Sequence, residues 1–403
     1  MTSVSPDLSP TSPWLAVWLR PRATIDAVLA NHPKRHVMVL AVLYSIAAIL
    51  VQLVVVGWAG LLLDWRVLLC VMIGGALWGI VSLYVSAFAL RWIGLLFRGH
   101  ASQVELRAVV AWGYVPFLAI LAVLLVVVPL LWIAQAWQQR PSGILTGGVT
   151  VIAGLLAIWS TVVSLLMLAR AQHFGFWRTI ISYACSTLLV SALLALVIRT
   201  FLFQPFSMPS GSMEPTLLIG DYFFVSKYSY GYSRYSLPFS PPLFSGRIFG
   251  AEPRYGDVVV FRLPRDPSTD YVKRVVGLPG DRVQMIGGQL NLNGAPVKRE
   301  PLAAIAVDGT PAKHWRETLP GGASYETLDL TDSGFLDNTK PYVVPPGHYF
   351  MLGDNRDNSQ DSRTSQVGYV PFENLVGRAV LIFFSSDADR AAARTDRVGM
   401  WVR

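Results

Sequence analysis

Long apolar stretches dominate the first half of the chain, and short alternating runs dominate the second half. Five apolar stretches are each long enough to cross a bilayer, which takes about 20 helical residues. They lie near 37–57, 67–90, 108–134, 146–168 and 179–201. The pattern predicts an α-helical transmembrane bundle of about five spans followed by a mainly antiparallel β domain.

Seven short runs in the second half have the composition of strands, separated by clusters of Gly, Pro, Asn and Asp. They are Asp221–Ser226, Asp257–Arg262, Tyr271–Val276, Asp281–Ile286, Gln289–Leu292, Tyr349–Leu352 and Gly377–Phe384. Segment 228–255 is rich in Tyr, Ser, Pro and Gly and predicts an extended surface excursion. Segment 295–345 has no clear period and predicts an irregular insertion.

Three parts are therefore expected along the chain. Residues 1–175 form a four-span membrane domain, residues 176–203 form a single transmembrane anchor, and residues 204–403 form a β-rich domain outside the membrane. The first 35 residues are polar and lack the apolar core of a cleavable signal peptide, so the spans themselves must direct the chain to the membrane.

The positive charge lies entirely in the apolar half. Residues 1–203 contain 12 Lys/Arg and 4 Asp/Glu, a net charge of +8, and residues 204–403 contain 21 of each, a net charge of zero. A nucleic-acid-binding domain would carry its basic excess on a polar folded surface. No nucleic-acid partner is expected.

The basic residues alternate between the loops in the way that sets membrane orientation. Nine Lys/Arg residues flank the spans on the side of the N-terminal tail, and two, Arg66 and Arg140, lie on the other side. Positively charged loops stay in the cytoplasm. The N-terminus is therefore expected in the cytoplasm, and an odd number of spans places residues 204–403 outside it.

The two cysteines, Cys70 and Cys185, fall inside apolar runs and are interpreted as small buried apolar residues. No pattern of Cys and His suits a metal, and no cofactor is expected. The Gly353–Arg363 segment contains three aspartates, but its arginines compete for them and it lacks the final glutamate of a calcium loop.

A stiff loop with three serines, Ser207, Ser210 and Ser212, follows the fifth apolar stretch, from Pro205 to Leu217. A serine hydroxyl needs a base to become a nucleophile. The β domain has only His314 and His348, each without a compelling neighbour, whereas Lys273 lies in an apolar strand. A lysine can act as a base only if burial lowers its pKa. An exposed edge lysine remains the alternative for this position.

The serine loop, the Tyr271–Asp281 strand and the Gly353–Arg363 segment resemble, in order and spacing, the motifs of type I signal peptidases. The resemblance covers about residues 179–385 and implies a membrane-bound serine endopeptidase that removes signal peptides from exported preproteins. It implies Ser212 as nucleophile, Lys273 as general base, Ser210 as an oxyanion donor and Ser359 as the residue that orients Lys273. It further implies the supporting residues Asp361, Arg363 and Arg274, and the substrate-pocket residues Met208, Leu217, Tyr271 and Val272.

The first part of the chain, about residues 15–170, resembles the Yip family of multi-spanning membrane proteins. The residues concerned are the Trp18–Thr24 run, Gly99, the loop with Glu105 and Arg107, and Tyr114-Val115-Pro116. This resemblance implies membrane trafficking or scaffolding and no chemistry. A Yip-like scaffold whose outer domain has lost catalysis is therefore one alternative, and a penicillin-binding acylase is another, although that class places its serine and lysine on one helical turn.

The expected partners follow from these resemblances. They are preprotein signal peptides, membrane lipid and the secretion machinery, at the inner (plasma) membrane of a bacterium. Phe201, Phe203 and Phe206 suit a surface that dips into lipid beside the anchor.

Overall fold

The computed structural model describes residues 12–55, 64–136, 143–307, 310–331, 333–387 and 392–403. The chain separates into two compact units, Met1–Leu193 and Leu194–Arg403. The first is helical and the second is mainly antiparallel β-structure, so the predicted fold class is confirmed.

The helical unit and its continuation consist, within the described residues, of nine helices and a final π-helical turn. They are α1 Pro13–Leu19, α2 Pro21–Asn31, α3 Val37–Val55, α4 Trp65–Leu96, α5 Gln103–Gly113, α6 Val115–Leu118, α7 Ile120–Ala136, α8 Gly143–Gln172, α9 Phe176–Val197 and the turn Ile198–Leu202. By length and composition, four of these described helices could each cross a membrane, and the bent set α5 to α7 could supply a fifth crossing.

The third crossing is broken rather than continuous. A bend of 40° separates Gln103–Leu118 from Ile120–Leu130. Pro116 near the bend has no backbone N–H and cannot continue the helical hydrogen-bond ladder. Phe117 lies in the first turn of α6, where an N–H has no acceptor within the helix, and its N–H donates to Ser160 Oγ at 2.9 Å. Small residues allow the other helices to approach closely: a Cβ on Gly79 of α4 would lie 2.6 Å from the Ala41 carbonyl of α3.

Two features of this unit differ from the sequence expectation. Helices α1 and α2 lie in the stretch interpreted only as a polar tail, and they bury Val17 and Ile25 against Leu40. They have only 7 and 11 residues, which is too short to show a clear helical period in the sequence. Cys70 is exposed on α4, contrary to the expectation that it is buried, because it lies on the outer face of a span.

The second unit contains sixteen strands within its described residues. They are β1 Phe203–Ser207, β2 Asp221–Ser226, β3 Val258–Arg262, β4 Asp270–Gly277, β5 Arg282–Ile286, β6 Gln289–Leu292, β7 Ala295–Pro296, β8 Lys298–Pro301, β9 Ile305–Val307, β10 Thr310–Thr318, β11 Ser324–Asp329, β12 Tyr342–Val343, β13 His348–Leu352, β14 Val370–Pro371, β15 Leu375–Asp387 and β16 Ala392–Ala393. All seven predicted strands are present, two of them (Asp221–Ser226 and Gln289–Leu292) with the predicted bounds and five with shifted ends.

Three antiparallel sheets organise these strands. The large sheet has the order β1-β2-β15-β3-β4-β13-β14, with β16 on β15; a second has the order β11-β10-β8, with β9 on β10; a third has the order β12-β5-β6-β7. Val258, Val259, Val260 and Phe261 of β3 are all buried, so both faces of the large sheet are covered at its centre. Strand β4, which carries Lys273, is hydrogen-bonded to β3 on one side and β13 on the other.

The prediction of an irregular insertion at 295–345 is wrong for much of that segment, because β8 to β11 build the second sheet there. A Gly321-Gly322 turn joins β10 to β11, and both glycines adopt positive φ. The alternation of β10 is hidden in the sequence because its inward position 317 holds a glutamate, which is fully buried.

The predicted surface excursion at 228–255 is partly a buried segment. Tyr230, Ser233, Tyr235 and Ser236 are buried, and a 3-10 turn at Arg234–Ser236 is capped by the Ser233 side chain. The remainder reaches solvent, where Phe239 is fully exposed. Tyrosine and serine can be buried here because their hydroxyls find hydrogen-bond partners.

Candidate active site

The loop between β1 and β2 presents Ser212. Because β1 and β2 are paired antiparallel, the loop starts and ends at the same edge. The Met208 N–H donates to the Asp221 carbonyl at 2.8 Å, and the Gly220 N–H donates to the Met208 carbonyl at 3.0 Å. A 3-10 turn at Gly211–Met213 then holds Ser212, which is 6% exposed. The loop is thus closed at its base and fixed at its tip.

Lys273 reaches this serine from the centre of the large sheet. Its Nζ lies 2.6 Å from Ser212 Oγ and donates to the Val272 carbonyl at 3.0 Å. The lysine is 3% exposed. Burial lowers its pKa to about 8, although the carboxylates of Asp361 and Asp354 act in the opposite direction. A lysine with this pKa has a substantial neutral fraction near neutral pH and can accept a proton from a hydroxyl.

Ser210 contributes a second hydroxyl at the same place. Its Oγ donates to Ser212 Oγ across 3.3 Å, and the residue is exposed. The two serines and Lys273, 61 positions apart in the sequence, are therefore brought into one cluster.

Two buried ion pairs lie behind the cluster. Arg363 forms a bidentate pair with Asp361, with both nitrogen–oxygen distances at 2.8 Å. Arg274 forms a second bidentate pair with Asp354, at 2.8 and 2.6 Å. All four side chains are nearly inaccessible to solvent. Bidentate pairs of this type hold planar groups in one orientation.

No hydrogen bond joins Ser359 to Lys273, contrary to what the sequence resemblance implied. Within the described residues, the Ser359 hydroxyl has no hydrogen-bond partner of good geometry. The Ser359 hydroxyl interacts with Asp361. Burial raises the pKa of Asp361, but Arg363, with a smaller contribution from Ser359, lowers it below its ordinary value. Lys273 Nζ bonds instead to its own chain at Val272.

Three of the four expected substrate-pocket residues lie together. Met208, Leu217 and Val272 are buried in one apolar cluster under the serine loop. Tyr271 packs against a different cluster, and its ring centroid lies 5.6 Å from Lys273 Nζ. Neighbouring positions on one strand face opposite sides of the sheet, which separates Tyr271 from Val272.

The two histidines of this unit have partners elsewhere. His314 contacts Glu326 and the Ala303 carbonyl, and His348 contacts the Pro346 carbonyl. Across the described ranges, no group of three or more His, Cys, Asp or Glu side chains is arranged to hold a metal ion. Within those ranges, the serine cluster is the place where a hydroxyl and a desolvated amine meet.

Sequence reasoning missed several residues of the site. Thr216 Oγ1 donates to Asp354 at 2.6 Å and accepts from Arg274 at 3.1 Å, so it joins the serine loop to the second ion pair. The Asn355 N–H donates to the Ser212 carbonyl at 3.2 Å. Thr216 lies within the quoted serine motif and could have been noted there. The backbone contact of Asn355 carries no sequence signal.

Two known families match this chain, one in its β-rich half and one in its helical half. The family described as signal peptidase, peptidase S26, matches residues 180–384, which is just over half of the chain. The chain belongs to this family. A second family, the Yip1 domain, matches residues 15–198 of this signal peptidase family member.

Curated relatives agree with the assignment. Signal peptidase I of Rickettsia typhi and that of Rickettsia prowazekii are each 46% identical over 202 residues, covering 48% of this chain and 76% of the relative. A solved signal peptidase I from Enterococcus faecalis is 27% identical, with 32% of this chain and 97% of that chain covered and a TM-score of 0.21. This signal peptidase family member is a membrane-anchored serine endopeptidase of the signal-peptide-cleaving type.

Proposed function

We propose that this chain cleaves signal peptides from preproteins with Ser212 as nucleophile and Lys273 as general base. The observation that carries the proposal is the 2.6 Å separation of Lys273 Nζ and Ser212 Oγ in a site where burial lowers the lysine pKa to about 8. Cleavage of a preprotein by the full chain in lipid vesicles tests it. The product must have a new N-terminus that follows a small residue.

In the proposed reaction, Ser212 Oγ bonds to the carbonyl carbon of the scissile peptide while its proton passes to Lys273 Nζ. The carbonyl electron pair moves onto oxygen to form the tetrahedral oxyanion. As the C–N bond breaks, Lys273 returns the proton to the departing amine of the mature chain. Lys273 then takes a proton from water as the water oxygen bonds to the acyl carbon, and as the ester C–O bond breaks Lys273 returns that proton to Ser212 Oγ, which releases the signal peptide and restores the serine.

The oxyanion would be held by the Ser210 hydroxyl and the Ser212 N–H. Ser210→Ala is expected to lower kcat about 100- to 1000-fold, because a donor aimed at developing charge acts mainly in the transition state. The KM for a peptide substrate should change little. Steady-state kinetics on a fluorogenic signal-peptide substrate measure both constants. Ser210→Thr, which keeps the hydroxyl, is the matched control, and an equal loss in both variants would remove Ser210 from this role.

The remaining predicted site residues are proposed to support this machinery. The Asp361–Arg363 pair fixes the loop behind Lys273, since the Gly353 N–H donates to Asp361 at 3.1 Å. The Arg274–Asp354 pair fixes the serine loop through Thr216. Ser359 is proposed to act on Lys273 indirectly, through Asp361, whose pKa it helps to lower and whose carboxylate acts on Lys273.

The substrate pocket is proposed to accept small side chains before the cut. Met208, Leu217 and Val272 are buried together in one apolar cluster, and a pocket walled by such tightly packed side chains would suit a small residue better than a large one. Tyr271 would contribute from the other side of β4, beside Lys273. A substrate with alanine at the positions one and three before the cut should therefore be cleaved in preference to one with leucine there.

The proposed partners are preprotein signal peptides, the lipid of a bacterial inner membrane and the secretion machinery. The nine-to-two bias of basic residues supports a cytoplasmic N-terminus and an extracytoplasmic residue range 204–403. Protease added outside intact spheroplasts should therefore digest the β domain and spare an N-terminal tag. Loss of the tag before the membrane is permeabilised would reverse the orientation.

A further inference from the structure

The second sheet of the β domain buries a carboxylate that the reaction does not use. Glu317 of β10 is fully buried, and both of its oxygens accept from Arg356, with Oε1 at 3.1 Å from Nη1. Tyr325 of β11 donates to Glu317 Oε2 at 2.9 Å and accepts from Arg356 at 3.2 Å. Arg299 lies at the edge of this group, 3.9 Å from Glu317.

The burial of the Glu317–Arg356 pair is energetically costly. Burying an ion pair costs more than burying apolar side chains of similar volume, and removing one partner leaves an uncompensated buried charge. An exposed pair of the same sheet avoids that cost, since Arg316 and Glu326 are 47% and 39% exposed. The Glu317–Arg356 pair instead joins the second sheet to the Gly353–Arg363 segment.

The segment that Arg356 belongs to holds the nucleophile by its backbone. The Arg356 N–H donates to the Leu328 carbonyl of β11 at 2.9 Å, and the Leu328 N–H donates to the Asp354 carbonyl at 2.9 Å. Between these two bonds lies Asn355, whose N–H donates to the Ser212 carbonyl at 3.2 Å. The second sheet, the segment and the serine turn are therefore three consecutive hydrogen-bonded layers.

The same arginine also touches the supporting pair behind the lysine. The Arg356 carbonyl accepts from Arg363 Nη2 at 2.6 Å, and Arg363 is paired with Asp361. The guanidinium of Arg274 lies 4.2 Å from the Tyr325 ring centroid. The Glu317–Arg356–Tyr325 cluster consequently contacts both ion pairs of the active site, although none of its side chains contacts Ser212 or Lys273.

We propose that Glu317 is a positioning residue for signal-peptide cleavage, acting through Arg356 and Asn355 on the backbone of Ser212. The inserted second sheet is then a part of the catalytic apparatus rather than an appendage. This proposal rests on the proposed function of Ser212. It assigns a role to a residue about a hundred positions from the serine and outside the quoted motifs.

The test is Glu317→Gln in the full chain reconstituted in lipid vesicles. The amide keeps the shape and removes the charge that compensates Arg356, so the segment and Ser212 shift. A displacement of the order of 1 Å can cost about 100-fold in rate, and that loss is expected in kcat, with KM and the pH of half-maximal kcat/KM unchanged. Glu326→Gln on β11, which breaks an exposed pair of the same sheet, is the matched control and should keep wild-type kcat.

Kinetic constants are to be expressed per folded molecule, with the folded fraction taken from the thermal unfolding curve of each variant. A Glu317→Gln variant that melts earlier but keeps wild-type kcat would overturn the proposal, since the pair would then be purely structural. If Glu317→Gln does not fold, Tyr325→Phe removes one hydroxyl and is expected to lower kcat about 5- to 10-fold, in line with one lost hydrogen bond. Unchanged kcat in Tyr325→Phe would then contradict the proposed positioning role of Glu317.

Failure of the proposed function is separable from failure of this inference. If Ser212 is not the nucleophile, Ser212→Ala keeps its activity whatever Glu317→Gln does. If Ser212 is the nucleophile and Glu317 has no positioning role, Ser212→Ala is inactive and Glu317→Gln cleaves at the wild-type rate.

Discussion

Ser212→Ala is expected to lower the rate of preprotein cleavage on the order of 10⁶-fold, as the loss of a serine nucleophile does in other serine peptidases. The variant keeps the 3-10 turn and the apolar cluster beneath it, because alanine fits wherever serine does in this nearly buried position. It removes the one atom that forms the covalent bond. The measurement is the rate of appearance of mature protein from a purified preprotein, with the full chain in lipid vesicles.

The matched control for this experiment is Ser207→Ala. Ser207 ends β1 in the same connection but is exposed, and it pairs through its backbone with Tyr222. Its hydroxyl has no part in the proposed reaction, so cleavage should proceed at the wild-type rate. Residual cleavage by Ser212→Ala that tracks enzyme concentration would mean that another group attacks the peptide.

Lys273→Met is expected to lower kcat on the order of 10³- to 10⁴-fold, toward the upper part of what a positioned general base contributes. Methionine has a similar length and is apolar, so a site that already excludes water should accept it without a buried unpaired charge. The same preprotein assay measures the loss, and thermal unfolding reports whether the variant is folded. Cleavage at the wild-type rate would exclude Lys273 as the base.

The pH dependence of the wild-type enzyme follows from the same assignment. The base must be neutral to accept the Ser212 proton, and burial lowers the pKa of Lys273 to about 8. Activity is therefore fully present above that pH and is lost as pH falls through it, about tenfold in kcat/KM for each further pH unit. A kcat/KM profile that stays flat from pH 5 to about 9 would contradict a lysine base.

Lys227 is the matched control for the lysine variants. It is also buried, and burial followed by the charge of Arg199 lowers its pKa to about 8, as for Lys273. Its Nζ, however, donates to the Ser236 carbonyl at 2.6 Å. Lys227→Met should leave kcat/KM and its pH dependence unchanged. A low lysine pKa by itself thus does not identify a base; the distance to a hydroxyl does.

Hydropathy and short motifs were sufficient to predict the architecture of this protein. The spans, the seven strands and the family follow from features that are local in the sequence: runs of apolar residues, alternation and turn residues. The N-terminal helices α1 and α2 and the second sheet were not predicted. In the first case the helices are too short to show a period, and in the second the inward position 317 of β10 is a glutamate.

The sequence by itself determined which part of the chain enters the membrane, which part forms the β domain, and which serine and lysine are the candidate catalytic residues. Only the tertiary structure decided that Lys273 lies on a central strand covered on both faces and that its second hydrogen-bond partner is Val272 rather than Ser359. It also decided that Glu317 joins the second sheet to the segment holding Ser212. Burial and hydrogen-bond partners depend on strands that are distant in the chain. Hydropathy reports only how strongly each residue and its sequence neighbours prefer an apolar environment.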